Sequence, residues 1–326
     1  MHWELAQHMK TVFMYSGQGS QYYQMGADLY ASAPGFRRQL DSLDQIVREH
    51  FGWSVIDIVY DLSKTKIDPF REIDVSSAAI FMLEVCLTRH LRELGIKPDY
   101  LLGVSLGTFA AAETAGCYRA EDYLSKVIKA AQITRDTSPE GAMIAVLSHP
   151  EVLSTDGYMP GLCELAAVNF EGHFTISTLR ENVARVTERL RQSNINYLEL
   201  PISRPYHARW LDGSKDSLKA FHGAIDYGLP LLPLICSAAC GPIDRFGVDE
   251  IWRVAREPIW FAKTALALDA SKGPCRYIDI GPSGTLATFM KYLLPKTSRS
   301  EIVSLMSPMQ NTNSNLQRLL SSRQAV

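Results

Sequence analysis

The stretch Gly103-Val104-Ser105-Leu106-Gly107 stands between a short apolar run at 100–102 and an alanine-rich stretch at 109–113. The first run is typical of a buried strand, and the second is typical of a helix because it holds strong helix formers and no breaker. A sharp turn from strand into helix holds its middle residue in a strained conformation at the top of a sheet, and only glycine on either side leaves room for neighbouring backbone. The pattern predicts an α/β sheet that exposes Ser105 as a nucleophile. Taken alone, GxSxG is also compatible with a glycine-rich turn that carries a bystander serine.

The composition is that of a soluble globular protein, since 46% of the 326 residues are hydrophobic and 21% are charged. No apolar stretch has the length of a bilayer span, and the N-terminus lacks the pattern of a signal peptide, so we expect a cytoplasmic protein with no membrane partner. A formal charge of −2 without a dominant basic block argues against nucleic acid as the main ligand. The six cysteines show no framework pattern, and Cys236 and Cys240 have no second pair at zinc-site spacing, so we expect free, buried thiols and no metal.

The order of predicted elements indicates two units. A strand at 11–15, a helix at 76–94, the elbow strand and a helix at 120–135 alternate as in an α/β sheet, and strands at 231–235 and 277–280 resume that pattern. Between them, strands at 143–147, 164–168, 174–177 and 197–200 and an amphipathic helix at 180–192 resemble a ferredoxin-like α+β unit. We therefore predict a main α/β domain from residues 1–140 and 205–326, with a small domain of residues 141–204 inserted into it. After about residue 307 the chain is polar, which predicts a loosely held tail.

A serine hydroxyl is a poor nucleophile at neutral pH and needs a base within hydrogen-bond reach. His207 is the candidate base, because it follows Pro205-Tyr206 at the predicted return into the main domain, where the domain boundary forms a cleft. The other histidines occupy predicted surface, helix, turn or strand-edge positions, where an exposed or packed histidine is the simpler interpretation. They are His2, His8, His50, His90, His149, His173 and His222.

Five sequence blocks occur in a fixed order along the chain. They are Ser16-Gly17-Gln18-Gly19-Ser20-Gln21, Gly103-Val104-Ser105-Leu106-Gly107, Gly141-Ala142-Met143, Tyr206-His207 and Asp279-Ile280-Gly281-Pro282-Ser283-Gly284. With these blocks the chain resembles the malonyl-CoA:acyl carrier protein transacylase family over nearly its whole length. Within that family it resembles free-standing, trans-acting acyltransferase homologues of modular polyketide synthases. The resemblance implies an α/β-hydrolase-like large domain with a ferredoxin-like insertion.

The resemblance also implies roles for individual residues. Ser105 becomes acylated, with His207 as its general base. A backbone carbonyl orients that histidine, and the matching stretch at 257–260 makes the carbonyl of Trp260 the candidate. The backbone N–H groups of Leu106 and Gln18 form the oxyanion hole, although Gln18-Gly19-Ser20-Gln21 alone is also compatible with an ordinary turn. No cofactor is implied, because the phosphopantetheine arm arrives on the partner, an acyl carrier protein.

The sequence departs from the family pattern in the acyl pocket. Malonyl-specific members carry an arginine in the helix after the elbow that pairs with the malonyl carboxylate, and the matching position here is Ala130. Arg135 lies more than a turn further along that helix and points elsewhere. A carboxylate without a partner carries a large desolvation cost in a pocket, so we expect neutral acyl groups to be preferred. The residues Arg204-Pro205-Tyr206 match neither usual form of the motif that accompanies extender-unit choice. Tyr206 is therefore a candidate selectivity residue, and Arg204 is an alternative source of the missing cation, although arginines at domain edges are mostly solvated.

An acyl ester on Ser105 can pass to a carrier-protein thiol or to water, and both routes need His207. Because an enzyme without a carboxylate clamp suits varied neutral acyl chains, we favour hydrolysis of acyl groups from the carrier proteins of a polyketide synthase. Transfer of acetyl, other acyl or malonyl groups is the alternative. A silent carrier-protein docking module is a third hypothesis, and the retained Ser105, His207 and Gln18 argue against it.

Carrier proteins are acidic, so basic residues are candidates for docking. The alternative is that these residues belong to solvated helix faces. The candidates are Arg185, Arg189, Lys291 and Lys296.

Overall fold

The computed structural model describes residues 9–155, 159 and 161–324. The strands are β1 (Lys10–Tyr15), β2 (Tyr100–Gly103), β3 (Gly141–Val146), β4 (Cys163–Phe170), β5 (His173–Leu179), β6 (Tyr197–Glu199), β7 (Leu234–Cys236), β8 (Gly241–Pro242), β9 (Cys275–Asp279) and β10 (Glu301–Ser304). The helices are α1 (Ala27–Ser32), α2 (Pro34–Phe51), α3 (Val55–Val59), α4 (Ile73–Glu93), α5 (Gly107–Thr114), α6 (Ala120–Thr137), α7 (Val152–Thr155), α8 (Val183–Gln192), α9 (Lys215–Gly223), α10 (Val248–Arg256), α11 (Phe261–Lys272), α12 (Thr285–Leu293) and α13 (Thr312–Gln324). Single 3-10 segments lie at Arg180–Asn182 and Arg209–Ser214.

The main sheet has six strands in the order β10-β9-β1-β2-β7-β8, and its neighbouring strands are parallel except for β7 and β8. Helices cover both faces, so the central strands are apolar on both sides. In β1, Phe13 and Tyr15 pack into the core beneath α4, α5 and α6. Val12 and Met14 face the opposite core, beneath α11 and α12. The predicted α/β class is therefore confirmed.

The second sheet has four strands in the order β4-β5-β3-β6, and all its strand pairs are antiparallel. The chain order β3-α7-β4-β5-α8-β6 is the βαββαβ pattern of a ferredoxin-like unit. These elements lie within the predicted limits 141–204, which stay a prediction as domain boundaries. Backbone hydrogen bonds join this sheet to the main domain, since Val168 N–H donates to the Ile259 carbonyl and Ile259 N–H donates to that of Ala166, both at 2.8 Å.

The C-terminal segment differs from the expectation. Residues 312–324 form α13, whose Leu316 and Leu319 are buried against the main core. The Asn315 amide donates to the Leu305 carbonyl at 3.0 Å. The prediction of a loosely held tail is therefore wrong for this helix, because its few apolar residues recur at helical spacing and find a binding face on the main domain.

Three further observations concern the sequence predictions. The thiols are free as expected, and all are buried except that of the half-buried Cys240. His2 and His8 lie outside the described residues. No helix in the described ranges has the length and apolar character needed to cross a bilayer.

Candidate active site

The nucleophile elbow has the backbone that the GxSxG pattern predicts. Ser105 follows β2 at φ 52°, in the left-handed region, and α5 begins two residues later. A Cβ on Gly107 would lie 2.3 Å from the Tyr15 carbonyl oxygen, and one on Gly103 would lie 2.5 Å from the Thr108 Cα. No side chain fits at either glycine, so both are needed for the strand and the helix to pack this closely.

Ser105 and His207 meet at the boundary of the two sheets. Ser105 Oγ lies 2.9 Å from His207 Nε2, within hydrogen-bond distance. His207 is 2% exposed and adopts φ 60°, also in the left-handed region. Its backbone N–H donates to the Ala255 carbonyl at 3.1 Å. Two strained backbone positions at one contact are typical of a functional site.

The other imidazole nitrogen fixes the protonation of the ring. His207 Nδ1 lies 2.9 Å from the backbone carbonyl oxygen of Glu257, which can only accept a hydrogen bond. Nδ1 therefore carries the proton, and the Nε2 lone pair faces the Ser105 hydroxyl. This corrects the expectation for Trp260, whose carbonyl instead accepts from the Thr264 N–H and hydroxyl inside α11.

Glu257 follows the last residue of α10, where helix carbonyls have no partner in the next turn. The negative end of the helix dipole lies at the same place and favours a protonated imidazole at His207. Burial acts in the opposite direction and dominates, since it lowers the pKa of His207 to about 4, with the Glu257 hydrogen bond opposing it. The His207 imidazole is therefore neutral at pH 7.

The loop after β1 lies against the elbow. A Cβ on Gly17 would be 2.7 Å from the Ser105 Cβ and 3.3 Å from the Leu106 nitrogen. The Gln18 side chain is held away from the nucleophile, because its amide donates to Ser77 Oγ at 2.6 Å. Within the described chain, the backbone N–H groups of Gln18 and Leu106 donate to no protein acceptor. Both remain available to an oxyanion beside Ser105.

Sequence reasoning missed a buried carboxyl that supports this loop. Glu84 on α4 is fully buried, and its Oε1 accepts from the Ser16 N–H at 2.7 Å and from the Ser16 hydroxyl at 3.2 Å. Burial raises the pKa of Glu84 well above its usual range, and the nearby Asp279 raises it further. The available signal was a single acidic residue in the apolar run Ala79-Ile80-Phe81-Met82-Leu83-Glu84-Val85.

The dyad opens into a cavity of about 390 Å³ between the two sheets. Its walls come from the first loop, α4, α5, α6, the small sheet, α9, α10 and α12, and they are mostly apolar. Among the described residues, the lining includes no lysine, arginine, aspartate or glutamate. Its histidines are His173, His207 and His222, and burial lowers the pKa of each.

The predicted selectivity residues fall in different places. Ala130 and Tyr206 both line the cavity. Arg204 does not: its guanidinium donates to the backbone carbonyls of Ser203 at 2.9 Å and Arg135 at 3.0 Å. The alternative in which Arg204 supplies the missing cation to the pocket is therefore not borne out. The Arg135 side chain is also turned away, towards Asp74 and Asp136.

Fold and site together are those of an acyl transferase domain, and the profile of that family matches residues 12–326. The chain therefore belongs to the acyl transferase domain family. It is 38% identical over 308 residues to the polyketide biosynthesis acyltransferase homolog BaeD of Bacillus velezensis, covering 94% of this chain and 95% of that protein. It is 35% identical over 305 residues to the polyketide biosynthesis acyltransferase homolog PksD of Bacillus subtilis, covering 94% of each.

Solved structures share the fold. A loading acyltransferase from the avermectin modular polyketide synthase matches with a TM-score of 0.85 at 22% identity, over 96% of this chain and 99% of that one. MCAT from Streptococcus pneumoniae matches with a TM-score of 0.78 at 24% identity, over 96% of this chain and all (100%) of that one.

Proposed function

We propose that this protein acts in polyketide biosynthesis, taking neutral acyl groups from carrier-protein thioesters onto Ser105 and releasing them to water. One observation carries the proposal: among the described residues, the cavity beside Ser105 has no cationic side chain, and alanine stands at position 130. BaeD and PksD, named as polyketide biosynthesis acyltransferase homologs, support the pathway.

In the first half-reaction, Ser105 Oγ attacks the thioester carbonyl while its proton passes to His207 Nε2. The Gln18 and Leu106 N–H groups stabilise the tetrahedral oxyanion. The intermediate collapses, the C–S bond breaks, and the phosphopantetheine thiolate takes the proton from Nε2. An acyl ester on Ser105 remains.

In the second half-reaction, water attacks that ester and gives its proton to His207 Nε2. Collapse breaks the bond to Ser105 Oγ, which regains the proton, and the carboxylic acid leaves. A carrier-protein thiol can replace water in the same position, so transfer of an acyl group is the second candidate function. A silent docking module is disfavoured, because binding alone does not need Ser105 Oγ held 2.9 Å from a neutral imidazole.

Substrate choice follows from electrostatics. A malonyl group carries a carboxylate, and losing one partner of a buried charge pair costs about 2–5 kcal/mol. The uncharged cavity imposes no such cost on acetyl or longer alkyl groups, which also gain from apolar burial.

The carrier protein is the proposed partner, and its acidic surface suits a basic site at the cavity entrance. Lys291 is exposed on α12, and Phe289 of the same helix lines the cavity. Lys296 is exposed just beyond that helix. Arg185 and Arg189 on α8 are further candidates.

The test offers acetyl- and malonyl-loaded carrier protein to the enzyme and measures the free acids. We expect faster release of acetate, and no release above background with Ser105→Ala. Faster release from the malonyl form would contradict the substrate argument. Absence of both an acyl adduct on Ser105 and free acid would favour the docking module.

A further inference from the structure

The cavity extends along α6 away from the nucleophile. Val127 and Tyr123 line it about one and two turns before Ala130, so the lining follows this helix for about 10 Å. We call this part the distal arm. Its lining residues come from α6, α9 and α10: Tyr123, Val127, Leu218, His222, Ile251 and Val254.

An aromatic wall connects the elbow helix to this arm. Phe109 on α5 stacks on Tyr123 with ring centroids 6.1 Å apart, and Tyr123 stacks on His222 at 6.3 Å. Leu218, Ile251 and Val254 are aliphatic, so the arm is lined mainly by groups that bind a hydrocarbon chain.

His222 is the exception in this lining. Its side chain is 1% exposed, and its Nδ1 lies 3.0 Å from the Tyr227 hydroxyl and 3.4 Å from that of Tyr123. Its Nε2 is buried and has no hydrogen-bond partner within the described chain. A buried polar atom left unpaired is costly and uncommon, so Nε2 calls for a partner that the protein itself does not provide.

We propose that the distal arm takes the far part of the acyl chain and that His222 Nε2 hydrogen-bonds an oxygen on that chain. The substrate class is a medium-length acyl group bearing a hydroxyl or keto oxygen away from the thioester. This inference rests on the proposed function, because the acyl group must enter the cavity from Ser105.

The chemistry of the imidazole suits a neutral oxygen. Burial lowers the pKa of His222 to about 4, so the ring is uncharged at pH 7. If the Tyr227 hydroxyl donates to Nδ1, then Nε2 carries the proton and donates; in the other tautomer, Nε2 accepts. A ligand hydroxyl satisfies either tautomer, whereas a ketone binds only the donating one.

The experiment measures binding to the Ser105→Ala protein, so that turnover does not enter. Octanoyl and decanoyl pantetheine thioesters are compared by calorimetry with the same chains carrying a hydroxyl at successive carbons. We expect one hydroxyl position to lower the Kd roughly three- to tenfold relative to the plain chain. A ketone at that carbon then identifies the tautomer.

The substitution His222→Phe in the Ser105→Ala protein removes Nε2 while keeping an aromatic ring at this position. We expect this change to abolish the positional preference, with the plain chain still bound. The matched control is His173→Phe, which removes a cavity imidazole on the small sheet and is expected to leave the preference unchanged. A Kd that does not depend on hydroxyl position, as when a bound water already satisfies Nε2, would overturn the inference, and so would a preference that survives His222→Phe.

The positional scan stands without the variant, so misfolding of His222→Phe does not remove the test. The proposed function is tested by a different result: it is wrong if the intact enzyme releases no free acid from an unsubstituted acyl thioester.

Discussion

Introducing a cation at position 130 tests the link between the uncharged cavity and acyl choice. The substitution Ala130→Arg places a guanidinium on the α6 wall of the cavity. Because the described lining contains no aspartate or glutamate, this cation has no acidic partner in the cavity and can pair with the carboxylate of a malonyl substrate.

The expected magnitude follows from the cost of an unpaired buried charge. Removing one partner of a buried charge pair costs about 2–5 kcal/mol, which corresponds to roughly 30-fold to several thousand-fold in kcat/KM. Ala130 is only half-buried, and an arginine there keeps part of its hydration, so we expect the lower end of that range. The malonyl-to-acetyl ratio of kcat/KM is therefore expected to rise roughly 30-fold.

The assay measures acylation of Ser105 by malonyl and acetyl thioesters, using rapid quenching and intact-protein mass spectrometry. Ala130→Met is the matched control, because it adds a long side chain without charge. Thermal unfolding of both variants checks that the fold is retained. If Ala130→Met raises the ratio as much as Ala130→Arg does, pocket shape rather than charge sets acyl choice, and the reasoning is refuted.

Three other changes probe the catalytic geometry. Gly107→Ala drives a Cβ into the Tyr15 carbonyl, so we expect loss of acylation together with a lower Tm; wild-type activity in this variant would show that the elbow tolerates a side chain. Glu84→Gln keeps an acceptor for the Ser16 N–H and is expected to retain most of kcat. Glu84→Leu leaves that N–H unpaired and is expected to lower kcat roughly tenfold or more. Equal kcat values for the two variants would exclude a role of Glu84 in supporting the first loop. Burial lowers the pKa of His207 to about 4, so kcat/KM is expected to rise with pH through about 4 and to be level above about 6. The lowered pKa of His207 also makes a contribution to the free energy of unfolding that is complete above about pH 6.5 and is lost as the pH falls towards 4. Urea unfolding across that pH range measures this contribution. A midpoint of the activity profile near pH 6.5 would contradict the burial argument.

Local patterns predict the strand, the sharp turn and the helix around Ser105, because the glycines at 103 and 107 and the flanking apolar residues all act within one short segment. The order of elements likewise predicts the α/β class. Position 130 comes from the resemblance to the family rather than from a local pattern, and Ala130 does line the cavity.

The features that sequence reasoning placed wrongly depend on backbone path and tertiary contacts. The acceptor for His207 Nδ1 is Glu257 rather than Trp260, because the left-handed φ of His207 and the end of α10 together determine which carbonyl faces the ring. Arg204 turns towards backbone carbonyls outside the cavity. Helix α13 packs through a small number of leucines, and the polar composition of the segment gave no sign of this contact.

The fate of the acyl-enzyme tests the central claim most directly. The enzyme is acetylated on Ser105, excess donor is removed, and the ester is chased with buffer containing holo carrier protein. Mass spectrometry then follows the acetyl-enzyme, free acetate and acetylated carrier. We predict that acetate is the main product and that its rate of formation hardly changes with carrier concentration. Acetyl-carrier as the main product, forming faster as carrier concentration rises, would contradict hydrolysis and identify the protein as a transferase.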